Sequence, residues 1–135
     1  MNWELPVGVK SRTIKTERAS VHYLECGEVG KPVWVLFHPM PLSSFMWRHV
    51  MSHLGQSFHV YAPDLVGCGY SEVEDYNAFG LLEQMQVMRE WLQLVVPEGD
   101  VSLLGHGWGA LMVHGLVSEF SRRVKCVGFY EAYLR

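Results

Sequence analysis

The chain has 135 residues, of which 49% are hydrophobic and 19% charged, with a formal charge of −3 at neutral pH. That suits one domain, residues 1–135, with a modest core, and leaves no basic footprint for nucleic acid. No apolar run approaches membrane-spanning length, and the N-terminal MNWELPVGVK lacks the apolar stretch of a secretory signal. The first elements are two short β-type runs, SRTIKTE (11–17) and SVHYLECG (20–27), close enough to predict a hairpin. PVWVLFH (32–38) is a continuous apolar strand of the kind buried on both faces, and HPMPLSS then breaks the chain. Trp47, Val50, Met51 and Leu54 mark one helical face. HVYAPD (59–64) is the next strand and LVGCGYS a glycine-rich loop, too short and wrongly placed for a dinucleotide fingerprint. Leu81, Met85, Met88, Leu92 and Val95 stripe a second helix, DVSLLGH (100–106) forms a strand, and Val113, Leu116, Val117 and Phe120 stripe a third helix. VKCVGFYE (124–131) is the last strand.

The order β-β-β-α-β-α-β-α-β predicts an α/β fold: a mainly parallel sheet of about six strands with helices on both faces. In such sheets, reactive groups collect at the carboxyl ends of the strands. Those ends are HPMP (38–41), Asp64 to Ser71, His106-Gly107-Trp108 and Glu131, so the unusual residues converge on one edge. Within LLGHGWGAL (103–111), the pattern Gly-His-Gly-Trp-Gly has the frame of a nucleophile elbow, in which a strand turns sharply into a helix with a Ser, Asp or Cys at the point. The residue at the point is Gly107.

Four stretches in order resemble the α/β-hydrolases, and within them the haloalkane dehalogenases: HPMPLSSFMWR (38–48), APDLVGCGYS (62–71), GHGWG (105–109) and FYEAYLR (129–135). Epoxide hydrolases and related luciferases share parts of the pattern. The resemblance implies an α/β-hydrolase fold and, for the parent family, hydrolytic cleavage of carbon–halogen bonds. There an elbow Asp displaces halide to give an alkyl ester, and a His oriented by an acid activates the water that hydrolyses it. Carried over by position, Gly107 stands where the nucleophile would be and Glu131 matches the orienting acid. Trp108 matches the halide-binding Trp, Met40 takes the place of a halide-binding Asn, and Pro39 replaces a Gly. The same resemblance puts the cap domain, the last strands and the catalytic His beyond Arg135, so the expected fold is a partial one.

Gly107 has no side chain with which to attack or form an ester, and it accepts strained backbone without a Cβ penalty. Met40 has no side-chain N–H for a halide, whereas Trp108 keeps its indole donor. Glu131, without the family His, is expected to orient nothing. Among the other candidates, His49 and His53 stand four apart on one helix without an evident third metal ligand, and His38 and His106 are expected to bond locally. Asp64 is read as a turn or cap residue. Neither a metal nor a cofactor is expected. Cys26, Cys68 and Cys126 are odd in number and widely spaced, which fits reduced thiols and a cytoplasmic setting. The functional expectation is a haloalkane-dehalogenase-like chain that is not catalytic by itself. The alternatives are a binding or assembly protein on a degenerate hydrolase fold, or one half of a split hydrolase. Its partners would be a small halogenated or apolar ligand, and a second copy or a complementing chain at an open sheet edge, with neither nucleic acid nor membrane. Trp108, Phe45 and Trp47 are expected near an uncovered surface.

Overall fold

A computed structural model describes residues 4–132. The expected hairpin is present: β1 (Lys10–Lys15) runs antiparallel to β2 (Ala19–Cys26), with Lys10 opposite Glu25 and Lys15 opposite Ser20. Thr16 closes the turn. Its N–H donates to Ala19 O at 2.8 Å and its hydroxyl accepts from Ala19 N at 3.1 Å. Next come β3 (Val33–Phe37), a 3-10 turn (Ser44–Trp47) running into α1 (Arg48–Leu54), β4 (His59–Pro63) and β5 (Glu72–Val73). They are followed by α2 (Leu81–Val95), β6 (Val101–His106), α3 (Gly109–Glu119) and β7 (Val124–Tyr130). The sheet order is β1-β2-β4-β3-β6-β7, with the two-residue β5 beside β2. The pairings β4-β3, β3-β6 and β6-β7 are parallel, whereas every pairing made by β2 is antiparallel. The sheet is therefore mixed: a parallel half carries the elbow and an antiparallel flank extends it. The seventh strand, β5, was not expected, because two residues within a glycine-rich loop carry no periodicity to read.

Side-chain alternation assigns the two faces. Val35 and Phe37 point into a large core with Val21, Tyr23, Leu103, Trp91 and Met112 beneath α2 and α3. Leu36 points the other way, joining Leu24, Val60, Ala62, Trp47 and Met51 beneath α1. All three β3 residues are fully buried, as a run apolar on both faces requires. Helices thus cover both faces. The buried face of α2 is centred on Gln84, Val87, Met88, Trp91 and Leu92, rotated from the expected stripe, and Leu81 is left exposed. Gln84 is buried because its amide serves the loop after β4, accepting from Val66 N at 2.9 Å and donating to Val66 O at 3.2 Å. α3 ends one residue before Phe120, whose N–H caps the helix by donating to Leu116 O. Trp47 lies in the core beneath α1 instead of near an open surface, because the 3-10 turn rolls it against Leu36 and Met51. Phe45 is covered by the Arg48 guanidinium at 3.8 Å from its ring centre. Among the described residues, no helix is long and apolar enough to cross a membrane, and all three cysteines are free thiols.

The carboxyl edge of the sheet is knitted together by Asp64, which is 1% exposed and does far more than cap a turn. Its Oδ1 accepts from Ser44 N at 2.7 Å, and its Oδ2 accepts from Tyr70 N at 3.0 Å and lies 2.7 Å from His22 Nδ1. Ser71 adds a second tie, donating from Oγ to Asp64 O at 2.7 Å and accepting from His22 N at 2.9 Å. Burial pushes the Asp64 carboxyl up, but the hydrogen bonds from His22, Ser44 and Tyr70 outweigh it and hold the group below its ordinary value. A carboxyl depressed in the folded state stabilises fully above its unfolded value, near pH 4, and loses that contribution as pH falls through the lower folded value. Urea unfolding at a series of pH values is therefore expected to show stability declining from about pH 4 downward. In Asp64→Asn that decline is shallower and the protein is less stable at pH 7.

Candidate functional site

The elbow is built from close approach. A Cβ at Gly105 would lie 2.6 Å from Ala110 Cα, and one at Gly109 would lie 2.2 Å from Phe37 O. Only glycines therefore let α3 start so near β6 and β3. Gly107 takes the point of the turn with φ +56, the left-handed region in which a side chain is strained. Its N–H donates to Tyr130 O at 3.1 Å, and its carbonyl accepts from Ala110 N at 3.0 Å at the start of α3. The expected strand, sharp turn and helix are all present, with no side chain at the point.

The loop after β3 meets the elbow from the other side. A Cβ on Gly107 would lie 2.9 Å from Pro39 Cβ, a contact that a rigid pyrrolidine ring cannot yield cheaply. Gly107 and Pro39 are therefore an interlocked pair. His38, fully buried, fixes this loop from behind. Its Nδ1 donates to Pro39 O at 2.8 Å and its Nε2 accepts from Leu65 N at 2.9 Å, which assigns the neutral tautomer. Burial lowers the His38 pKa and keeps the ring in that form. Met40, 42% exposed, turns its sulfur toward Cys68, whose Sγ donates to Met40 Sδ at 3.0 Å. Its thioether is thus engaged with the loop after β4. Trp108, the residue before α3, is half exposed.

Glu131 follows β7 with φ +46, an uncommon conformation for a residue with a Cβ. Its Oε2 lies 3.1 Å from His106 Nε2. This corrects one expectation, since Glu131 does have a histidine partner, the residue immediately before the elbow point. The signal lay in the parallel register, which sets His106 beside Tyr130. A carboxylate can only accept, so Nε2 carries the proton and Nδ1 is left with a lone pair. That Nδ1 is buried and has no partner among the described residues. The Tyr130 ring stacks edge-on at 4.7 Å and the Trp47 ring at 6.4 Å. Gly107, Trp108, Pro39 and Glu131 thus share the carboxyl end of β3, β6 and β7, whereas His49 and His53 are exposed on α1 on the flank of the sheet.

Comparison with known proteins bears directly on this geometry. Residues 32–132 match the family model described as alpha/beta hydrolase fold. The chain belongs to the α/β-hydrolase fold family. Among curated relatives it is 30% identical over 128 residues to a haloalkane dehalogenase of Agrobacterium fabrum, covering 95% of this chain and 41% of that protein. It is 32% identical over 122 residues to epoxide hydrolase A of Mycobacterium tuberculosis, covering 86% of this chain and 36% of that one. The crystal structure of the haloalkane dehalogenase DatA from Agrobacterium tumefaciens C58 superposes with a TM-score of 0.86 at 27% identity, over 96% of this chain and 43% of that one. The chain therefore spans about two fifths of the length of these relatives. The hydrolase fold and its resemblance to haloalkane dehalogenases rest on sequence and structure together.

The interlock of Gly107 with Pro39 generates a double-mutant cycle. Gly107→Ala is expected to cost about 2–4 kcal/mol from left-handed strain and overpacking. Pro39→Gly in the same chain is expected to return about 1–3 kcal/mol of that loss as coupling. Chemical denaturation of the four proteins measures it, and strictly additive costs would show that the proline does not oppose a side chain at 107.

Proposed function

We propose that this chain is a haloalkane-dehalogenase-like hydrolase-fold protein that receives a small halogenated or apolar molecule at the elbow without performing covalent chemistry there. The observation that carries the reading is Gly107: the turn is correctly formed, its point lacks a nucleophile, and Pro39 occupies the room that a nucleophile's Cβ needs. The His106–Glu131 pair does not act as a base at the elbow, because the free nitrogen of the ring is buried. Trp108 supports binding, since its half-exposed indole offers an apolar face and an N–H donor beside the elbow. The relatives' names, haloalkane dehalogenase and epoxide hydrolase, suggest small electrophiles as the ligand class. Three free thiols support a reducing, cytoplasmic setting.

Incubation with a brominated alkane is expected to release no halide above a buffer control, and Gly107→Asp alone is expected to restore none. The same alkane is expected to change tryptophan fluorescence saturably, and Trp108→Phe to remove most of that change. Halide release by the unaltered chain would overturn the reading.

A second reading is carried by β7. Among the described residues this strand lies at the edge of the sheet, and Val127, Phe129 and Tyr130 are 41%, 43% and 58% exposed on it. An apolar edge with free backbone groups favours pairing with another strand. We propose that it pairs with β7 of a second copy. Sedimentation velocity is expected to show mass rising with concentration, and Val127→Lys to keep the chain monomeric. A monomer at all concentrations would count against the pairing.

A further inference from the structure

A second constellation lies away from the elbow, between the hairpin and the loops that Asp64 gathers. Ser11 Oγ is 2.6 Å from His22 Nε2, and His22 Nδ1 is 2.7 Å from Asp64 Oδ2. The β1-β2 register sets Thr13 opposite His22 and Ser11 opposite Leu24. Ser11 is thus the diagonal neighbour that an imidazole ring can reach on one face of the pair. The chemistry of the partners fixes the tautomer. The Asp64 carboxylate can only accept, so His22 Nδ1 donates to it and Nε2 is left as an acceptor, toward which the Ser11 hydroxyl donates. Those are the connections of a hydroxyl nucleophile, a general base and an acid that orients the base.

Burial is graded in the order such a device needs. Asp64 is 1% exposed, His22 is 7% exposed and Ser11 is exposed. Asp64 is held rigidly by Ser44 N and Tyr70 N. The Tyr70 ring meets the His22 ring edge-on at 5.2 Å, which steadies the base. All three residues line one open cavity of about 1090 Å³. The rest of its wall is largely apolar, with Leu24, Leu42, Phe45 and Met46, and includes Thr13 and Arg48, whose guanidinium donates to Phe45 O at 2.9 Å.

We infer that Ser11, His22 and Asp64 form a serine-hydrolase site for uncharged carboxylic esters with an apolar acyl chain, separate from the elbow. The apolar wall takes the acyl chain beside the Ser11 hydroxyl. Ser11 Oγ attacks the carbonyl carbon as its proton passes to His22 Nε2, and Asp64 stabilises the resulting imidazolium. The C–O bond to the alcohol breaks, and the alcohol leaves with the proton from Nε2, which gives acyl-Ser11. Water, deprotonated by the same nitrogen, then attacks the acyl group. Carboxylic acid is released and Ser11 recovers its proton. No oxidant, reductant or metal takes part.

The reading uses none of Gly107, Trp108 or Glu131, so it stands or falls apart from haloalkane binding. The test treats the 135-residue chain with 4-nitrophenyl butyrate, and separately with a fluorophosphonate followed by peptide mass mapping. Nitrophenol release above the buffer rate is expected, together with a single phosphonyl adduct on the peptide that contains Ser11. Ser11→Ala removes one exposed hydroxyl and leaves the β1-β2 register and the His22–Asp64 bond in place, so its circular dichroism is expected to match the parent. Both signals are expected to fall to background in it. No hydrolysis above buffer, an adduct on another residue, or parental hydrolysis by Ser11→Ala would each overturn the assignment.

Discussion

The structure hangs on one buried carboxylate. Asp64 follows β4 and reaches three separate pieces of chain: the turn before α1 through Ser44 N, the glycine-rich loop through Tyr70 N, and β2 through His22. A carboxylate removed from water loses much of its solvation, and it persists there because charge-assisted hydrogen bonds replace that solvation. The loops that shape the carboxyl edge are therefore fixed by electrostatics, whereas the strands beneath them are fixed by apolar packing. The elbow depends on this division. The loop after β3 is latched through His38 to the backbone next to Asp64, so the position of Pro39 against the elbow inherits the rigidity of the same hub.

The elbow shows how backbone shape and chemistry separate. Gly105 and Gly109 are demanded by the close passage of α3 across β6 and β3, whatever stands between them. The frame of the turn thus does not depend on a reactive group, since its geometry rests on van der Waals contact and on hydrogen bonds from Gly107 and Ala110. Glu131 shows the converse. It has a left-handed backbone and a histidine partner at the end of β7, beside a turn whose point carries no side chain. A fold can hold a constellation in register for structural reasons, so fold membership by itself is no evidence of turnover.

Much of this was legible in the sequence. The continuous apolar run of β3 predicted burial on both faces, and the spacing of helices and strands predicted the parallel half of the sheet. The glycine spacing from 105 to 109 announced the elbow. What the sequence concealed depends on register and rotation. β5 is two residues long and has no period. The face of α2 is turned because Gln84, a polar residue, is drawn inward to satisfy Val66. Trp47 is drawn in by a 3-10 turn that helical spacing alone does not reveal. Ser11 and His22 lie 11 residues apart and look unrelated until the hairpin register sets them diagonally across one face. His106 and Glu131 likewise meet only because β6 and β7 run side by side.

The contact between Gly107 and Pro39 also sets a direction on change. While a proline stands at 39, any side chain at 107 meets both a rigid ring and a left-handed backbone, so a single substitution at the elbow begins from a penalty. While a glycine stands at 107, nothing at the elbow opposes the proline. Each residue makes the other harmless, and together they act as a ratchet. A side chain at 107 is accommodated only once position 39 has changed, and a replacement at 39 alone adds no group to the elbow.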